Sequence, residues 1–280
     1  MITLSPKAKQ VASKAFCYGV AIILILFFLL PIYYVISMSF MHDVDTFAYP
    51  PKFLFSPTFD NFNQIFQDGI LSKNLVNSII ISSACVAFGI IVGIPASYAL
   101  SRMKNKSVPL LMFFILVVRL IPPMSLLLPI FSMYVKTGLI DTHLGMIILD
   151  LTFVLPLNVW MQKTFFDGVP KEMEEAAEID GANTWQTLLF VVVPLIAQAL
   201  VATAIFSWIQ AWNEYLFAMV ITRSNAKTII IAVNNYINFD EMHWGELAAT
   251  AVVICMPVIL FSVFVRKYLI SGMTAGGVKE

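Results

Sequence analysis

The sequence predicts an all-α membrane protein that crosses the bilayer six times. Of its 280 residues, 59% are hydrophobic and only 12% are charged, a composition outside the range of soluble globular domains. The mean hydropathy of +0.85 and the 23 phenylalanines indicate the same class, because so many apolar side chains would be hard to bury in one soluble core. The formal net charge is zero and no basic run occurs, so we expect no nucleic-acid partner.

Six apolar runs are long enough to cross a hydrocarbon layer of roughly 30 Å, which takes about 20 helical residues. They cover residues 16–40, 75–101, 108–135, 144–162, 186–212 and 246–265. The first run exceeds the roughly 7–15 residues of a signal-peptide core and lacks a small-residue cleavage site, which predicts a retained membrane anchor. Apolar character continues beyond the fifth run to residue 222, and this predicts a shorter segment near or dipping into the outer surface.

The basic residues predict an orientation for these spans. With the amino terminus in the cytoplasm, eleven Lys and Arg residues lie inside, five lie outside, and Arg119 lies within the third span, the asymmetry expected of membrane proteins. A seven-span arrangement places ten Lys and Arg residues inside and six outside, so charge separates the two arrangements poorly. The fifth run is too short for two spans and a turn, and its length therefore favours six spans. Both termini, the loop 163–187 and the tail 268–280 are then cytoplasmic, and the loops 41–74 and 213–245 lie outside.

A polar, helix-prone segment stands out in the loop predicted to be cytoplasmic. Pro170 suits a first helical position, glutamates follow it near the first turn, and Gly181 suits the position after the last turn. Met173, Ala176 and Ala177 form an apolar stripe at helical spacing. A helix that lies on anionic lipid is usually basic on its polar face, whereas this one is acidic. We therefore favour a helix that docks another protein over an interfacial helix or a plain connection.

The spacing in this loop resembles a known motif. Glu-Ala-Ala at 175–177 is followed after three residues by Gly181, and nine residues further by Val191-x-Val193-Pro194. This resembles the EAA loop of permease subunits of binding-protein-dependent ABC importers, in which the closing positions favour Ile, Leu and Pro. Further segments resemble the MalG-type permease subunits of carbohydrate importers, namely 180–183, the Ile121-Pro122-Pro123 bend in the third span, 212–215 and 271–280.

The resemblance implies the type I ABC importer permease fold, with residues 1–280 as one transmembrane permease domain in a bacterial or archaeal cytoplasmic (inner) membrane. It implies a small carbohydrate solute, a homologous second permease subunit, two ATPase subunits that hold ATP and Mg, and a periplasmic or lipid-anchored substrate-binding protein. The chain itself is expected to bind no cofactor or metal and to be non-catalytic. It contains no Gly-x-x-x-x-Gly-Lys-Ser/Thr phosphate loop, and its three histidines lack metal-ligand spacing.

The resemblance also implies two contact regions for the ATPase subunits. The residues of the coupling helix are Glu174, Glu175, Ala176, Ala177, Asp180 and Gly181. The residues of the cytoplasmic tail are Thr274, Ala275, Gly276 and Gly277.

Polar residues at membrane depth or at the outer interface are candidates for a solute pathway or gate. They are Arg119, Asp150, Asn158, Gln162, Asn213 and Glu214. A charge at the bilayer centre costs at least a few kcal/mol, so Arg119 should face protein or water. The three candidates on the fourth span lie within about 40° of one helical face. They could line a solute cavity, with Trp160 or Trp208 stacking on a sugar ring, or they could bond to neighbouring helices or to the partner permease.

Other functions stay open at this point. An ABC permease for another solute, such as glycerol phosphate or amino acids, would share the motif. A secondary transporter that needs no ATPase predicts inverted repeats and a buried acidic relay, for which Asp150 is a candidate. A purely structural membrane partner predicts no solute-dependent phenotype.

Overall fold

The computed structural model describes residues 6–236 and 242–275, and the regular elements in those ranges are helices. Four helical stretches in these ranges are long and apolar enough to cross a membrane: Lys14–Ser39 within α1 (Pro6–Ser39), α4 (Ile70–Arg102), α7 (His143–Asp167) and Trp244–Val263 within α13 (Trp244–Ala275). Two bent helix pairs raise the number to six if each pair is one span. The prediction of an all-α membrane protein is confirmed, whereas the orientation of its termini stays a prediction.

The third span bends where its proline pair lies. α5 (Val108–Val117) continues as a 3-10 turn to Leu120, and the chain then turns by 88° into α6 (Pro123–Thr137). Ile121 is extended, as expected for a residue that precedes a proline. The bend expected at Ile121-Pro122-Pro123 is therefore present.

The fifth span differs from the prediction of one helix over 186–212. Its first arm contains α9 (Thr184–Gln186), a π-helical segment (Thr187–Val192) and α10 (Val193–Leu195). α11 (Ala197–Trp212) forms the second arm, at 82° to the first. Pro194 cannot donate a backbone hydrogen bond, and the wide π turn before it already departs from regular helical bonding, so the helix breaks here. The apolar residues beyond it form a separate short helix, α12 (Leu216–Ile221).

The chain divides into two compact units, and the first comprises residues up to Asp68 together with 233–253. It contains α1, α2 (Asp43–Thr46) and α3 (Asp60–Gln67). The Asn61 side chain donates hydrogen bonds to the carbonyls of Ser39 and Met41, at 3.1 and 2.8 Å, and so fastens α3 to the end of α1. A Cβ added at Gly245 would lie 2.5 Å from Asn61 Oδ1, which explains the glycine there.

The second unit comprises residues 69–232 and the chain from Ile254 onward, and its interior is formed by α4, α7 and α11. Glycines on α4 allow α7 to approach closely, as small residues do between membrane helices. A Cβ added at Gly89 or at Gly93 would lie 2.8 Å from the side chains of Asn158 or Gln162. The prediction of a single domain over 1–280 is not tested by this division and stays a prediction.

A loop of the second unit, residues 222–229, is held by side chains from outside it. The Asp141 carboxylate accepts hydrogen bonds of 2.8–3.2 Å from the backbone N–H groups of Arg223, Ser224, Asn225 and Ala226. Burial by itself would raise the pKa of Asp141, but these four donors stabilise the carboxylate and lower its pKa to about 2. The φ of +56° at Asp141 lies in the left-handed region that Asp and Asn tolerate.

Replacing Asp141 with asparagine is expected to destabilise the folded chain in a pH-dependent way. Asn tolerates the same backbone conformation but offers a neutral acceptor, so we expect a loss of about 1–3 kcal/mol at neutral pH. Because the folded pKa of about 2 lies below the ordinary 3.8, the carboxylate contributes its full stability above pH 4 and loses it as the pH falls through 2. Thermal unfolding of both proteins in detergent between pH 2 and 7 would measure this. A difference that stays constant across this range would contradict the assignment.

Candidate functional site

The predicted docking segment forms α8 (Glu172–Ile179). Three carboxylates, those of Glu172, Glu174 and Glu175, lie in its first turn, where they complement the unpaired N–H groups of the helix. The helix begins two residues after Pro170, with Lys171 as its N-cap.

The end of α8 is defined by backbone hydrogen bonds. Gly181 has a φ of +85°, and its N–H bonds to the carbonyl of Glu178 at 3.0 Å. The N–H of the next residue bonds to the carbonyl of Ala177 at 3.0 Å, which completes a Schellman motif. Asn183 and Gln186 then form a capping box that starts the following helix. The sequence prediction of Gly181 as the residue after the last turn agrees with this geometry.

The predicted coupling residues of α8 divide into two groups. Glu174 and Ala177 are buried against the rest of the second unit. Glu175, Ala176, Asp180 and Gly181 are exposed. The exposed group has apolar neighbours in Met173 and Ile179, which are 44% and 87% exposed. The surface available to a partner therefore combines acidic and apolar side chains.

Glu174 points inward, so the structure does not place it on the surface where a partner would contact it. Arg102 donates to Glu174 Oε1 from Nε at 2.7 Å and also from Nη2, and the Tyr98 hydroxyl donates to Oε2 at 2.8 Å. Arg102 Nη2 also donates to the carbonyl of Val169 at 3.3 Å. We call Tyr98, Arg102 and Glu174 the α4–α8 clamp, because they join the end of α4 to the first turn of α8.

Four of the six candidate pathway residues line one cavity of about 410 Å³ in the second unit. They are Arg119, Asp150, Asn213 and Glu214. The wall also contains Gln210, as well as Phe153 and Tyr215, which the sequence analysis had not singled out as cavity residues. The cavity thus combines two carboxylates, one guanidinium, amides and aromatic rings in its described wall.

Glu214 has a structural role as well as a place in the cavity. Its carboxylate accepts hydrogen bonds from the backbone N–H groups of Phe217 and Ala218, at 2.9 and 2.8 Å, and so caps α12. Burial raises the pKa of Glu214 above its ordinary value, although these hydrogen bonds act in the opposite direction. Asn213 is exposed and bonds locally to the carbonyl of Ile209 at 2.8 Å.

Asp150 is the least satisfied polar group of the cavity. Its side chain is 2% exposed, and neither carboxylate oxygen has a hydrogen-bond partner among the described residues. A buried carboxylate without a donor is costly. Such a group is expected to find its partner in another state of the protein or in a ligand.

Asn158 and Gln162 lie outside this cavity and bond to neighbouring helices. Ser207 Oγ donates to Asn158 Oδ1 at 2.7 Å, and Ser97 Oγ donates to Gln162 Oε1 at 3.2 Å. Both amides are buried at the interfaces of α7 with α4 and α11. Asn158 Nδ2 and Gln162 Nε2 have no hydrogen-bond partner among the described residues. Because the oxygen of each amide bonds to a neighbouring helix, the geometry favours contact between helices of the two roles left open by the sequence.

The two tryptophans considered as sugar platforms differ in availability. Trp208 is buried and stacks on Trp212 and Phe261, with ring centroids 4.6 and 4.3 Å apart. Trp160 is 42% exposed but does not line the cavity that contains Asp150. The aromatic rings of that cavity are instead Phe153, Tyr215 and Phe217.

The sequence matches the family described as "Binding-protein-dependent transport system inner membrane component" over residues 85–275, a range that includes α8 and the cavity residues. The chain belongs to this family. Membership in the family, together with the apolar spans, confirms a multi-pass protein of the cytoplasmic (inner) membrane.

Two relatives within the family are similar to the chain over nearly its whole length. The trehalose transport system permease protein SugB of Mycobacterium tuberculosis is 34% identical over 254 residues, which are 90% of this chain and 92% of that protein. The trehalose/maltose transport system permease protein MalG of Thermococcus litoralis is 32% identical over 263 residues, 92% and 94% of the two chains. The resemblance to MalG-type permeases is thereby confirmed.

A solved structure supports the fold independently. A chain of a bacterial ABC transporter involved in the import of the acidic polysaccharide alginate superposes with a TM-score of 0.77 at 23% identity, covering 96% of this chain and 99% of that one. This likeness confirms the ABC importer permease fold.

The predicted cytoplasmic tail is described only in part. α13 continues to Ala275, so the helix extends beyond the predicted end of the sixth span at 265, and the backbone of Thr274 belongs to it. Gly276 and Gly277 lie outside the described residues.

Two residues of the clamp were missed by sequence reasoning. Tyr98 and Arg102 are four positions apart on α4 and so share a helix face, a spacing that the sequence does show. Their partner Glu174 follows Arg102 by 72 positions, and no local pattern connects the two. No group of three or more potential metal-ligating side chains occurs within 6–236 and 242–275.

Proposed function

We propose that the chain is a transmembrane permease subunit of an ATP-driven, binding-protein-dependent ABC importer for a sugar, oligosaccharide or polyol. It would pair with a homologous second permease subunit, with two ATPase subunits that hold ATP and Mg, and with a periplasmic or lipid-anchored binding protein. The chain has no phosphate loop of its own, so we assign hydrolysis to the partners and a non-catalytic role to this subunit.

The observation that carries this proposal is α8. It presents Glu175, Ala176 and Gly181 outward on a short helix that ends in a Schellman motif and is tied inward by Glu174. A small, capped helix with an exposed small-residue surface fits the groove of another protein. Closure of the ATPase pair would then displace α8. The spans would alternate between two states, and ATP and the solute would each shift the balance between them.

The cavity chemistry favours a neutral, hydroxyl-rich solute. Sugar hydroxyls both donate and accept hydrogen bonds, and the wall offers carboxylate acceptors in Asp150 and Glu214 and a donor in Arg119. Phe153 and Tyr215 provide apolar rings for the faces of a sugar. A phosphate would meet two carboxylates against one guanidinium in this wall, which argues against glycerol phosphate. The relatives named for trehalose and maltose transport support the same choice.

The test is solute-stimulated ATP hydrolysis by the complex reconstituted in proteoliposomes with its binding protein. We expect trehalose or maltose to stimulate hydrolysis several-fold, and glycerol 3-phosphate and amino acids to leave the basal rate unchanged. Stimulation by glycerol 3-phosphate alone would favour the other importer class. Solute uptake by this chain without any ATPase subunit would indicate a secondary transporter instead.

A further inference from the structure

We propose that α4 is a strut that carries the displacement of α8 to the 222–229 loop, and that Glu174 is the positioning residue that fixes α8 to one end of this strut. The inference rests on the proposed function, since it takes a partner ATPase as the source of the displacement. Its evidence is a set of side-chain contacts at each end of α4 and close packing between them.

At the first end, the α4–α8 clamp fixes both the distance between α4 and the first turn of α8 and the orientation of that turn. The side chains of Arg102 and Glu174 are only 17% and 12% exposed, so water and salt weaken their attraction little. Both oxygens of Glu174 are engaged, one by Arg102 and one by Tyr98. Apolar contacts such as that of Ala177 can slide, whereas charge-assisted hydrogen bonds have a defined geometry. Movement of the first turn of α8 is therefore expected to move the end of α4.

At the other end, α4 holds the backbone of the 222–229 loop. Asn77 Nδ2 donates to the carbonyls of Asn225 and Lys227, at 2.8 and 3.0 Å. The backbone N–H of Ile229 donates to Ser78 Oγ at 2.8 Å. Both α4 side chains are buried, with exposures of 4% and 2%. The rise from these residues to the clamp is about 37 Å at 1.5 Å per residue, so the two ends lie on opposite sides of a hydrocarbon layer.

Between its ends, α4 stays helical through Pro95, which cannot donate a backbone hydrogen bond, and it is closely packed. Gly89 and Gly93 bring its backbone against Asn158 and Gln162 of α7, where an added Cβ would find no room without displacing them. Packed interiors deform little and transmit strain. The loop and α8 are thus connected by one helix rather than by a series of flexible segments.

The experiment measures movement of the loop in the assembled complex. Arg223, whose side chain is exposed, is replaced by cysteine and labelled with an environment-sensitive fluorophore after Cys17, Cys85 and Cys255 have been replaced by serine or alanine. In the complex with an unaltered clamp, we expect ATP to change the fluorescence of the label at position 223 without any solute. Glu174→Gln is expected to lose most of this change, and Tyr98→Phe, which removes one hydrogen bond and keeps the ring, to lose part of it.

Lys52→Gln is the matched control, because it removes an ion pair of 2.5 Å with Asp45 that lies outside the clamp and outside α4. We expect it to leave the ATP-dependent signal unchanged, and thermal unfolding of each complex shows whether a loss of signal reflects a loss of fold. A Glu174→Gln complex that assembles and keeps the full signal would overturn the inference. If that complex does not assemble, Tyr98→Phe decides, since an unchanged signal there overturns the inference as well.

The inference and the proposed function fail in different ways. If ATP moves the label through the clamp but neither trehalose nor maltose stimulates hydrolysis, the strut stands and the carbohydrate assignment is wrong. If a sugar stimulates hydrolysis but ATP leaves the label at position 223 unchanged in the wild-type complex, the importer assignment stands and the strut is wrong.

Discussion

Replacing Gly181 with leucine is expected to abolish solute-stimulated ATP hydrolysis and uptake while the complex stays folded. The residue has a φ of +85°, and no described atom lies within 4 Å of an added Cβ. The backbone strain of a non-glycine residue in this region is about 1–2 kcal/mol, which a folded domain tolerates. The new side chain would project from the exposed surface of α8, where the partner ATPase is proposed to fit. Hydrolysis and uptake in proteoliposomes measure the effect.

Gly138 offers a matched control. It has a φ of +70° at the end of α6, and no described atom lies within 4 Å of a Cβ added there. Gly138→Leu therefore carries a similar backbone cost at a position far along the chain from α8. We expect both variants to lower the unfolding temperature by similar amounts and only Gly181→Leu to stop transport. Normal transport in Gly181→Leu would contradict the assignment of α8 as a coupling helix. Equal losses of transport in both variants would show that backbone strain causes the effect.

Replacing Asp150 with asparagine is expected to change stability and transport in opposite directions. The substitution keeps the shape and removes a buried carboxylate whose oxygens have no partner among the described residues, so the unfolding temperature should rise. Uptake should fall about tenfold or more, consistent with the loss of one hydrogen bond to a charged group, worth about 1.5–3 kcal/mol. Thermal unfolding in detergent and sugar uptake in proteoliposomes measure the two effects.

Asn158 provides the comparison for Asp150. It lies two helical turns along α7, is equally buried and accepts a hydrogen bond from Ser207 at 2.7 Å. Asn158→Ala should lower stability, because it removes the hydrogen bond from Ser207 and leaves a cavity, and it should not alter the sugar concentration for half-maximal uptake. A destabilised Asp150→Asn protein, or one with unchanged uptake, would refute a functional role for this carboxylate.

The elements that the sequence predicted well depend on local chemistry. The bend at Ile121-Pro122-Pro123 follows from the proline ring itself, and the end of α8 at Gly181 follows from the freedom of glycine in the left-handed region. The apolar spans follow from hydropathy over some 20 residues. In each case the physical cause lies within the segment, so one sequence is enough to locate it.

Two of the predictions that needed revision depend on partners distant in the chain. The fifth span is different: it was expected as one helix because its composition is apolar throughout, whereas Pro194 and the π turn before it break the helix. Glu174 was expected to face a partner protein, but Arg102 and Tyr98 draw it inward. The three candidate pathway residues on α7 share one helical face in the sequence. In the packed structure Asp150 lines the cavity, whereas Asn158 and Gln162 bond to neighbouring helices.

By itself, the sequence determined the membrane class, the apolar segments long enough to cross a bilayer, the short acidic helix α8 and the family that its motif indicates. These are consequences of composition and of short-range backbone preferences. Only the tertiary structure decided that four polar residues share a cavity, that two others join helices, and that α8 is tied to the end of α4. Those contacts join residues such as Arg102 and Glu174, 72 positions apart, or Asn77 and Asn225, 148 positions apart. No local pattern encodes them, because side chains at such separations meet only after the helices have packed.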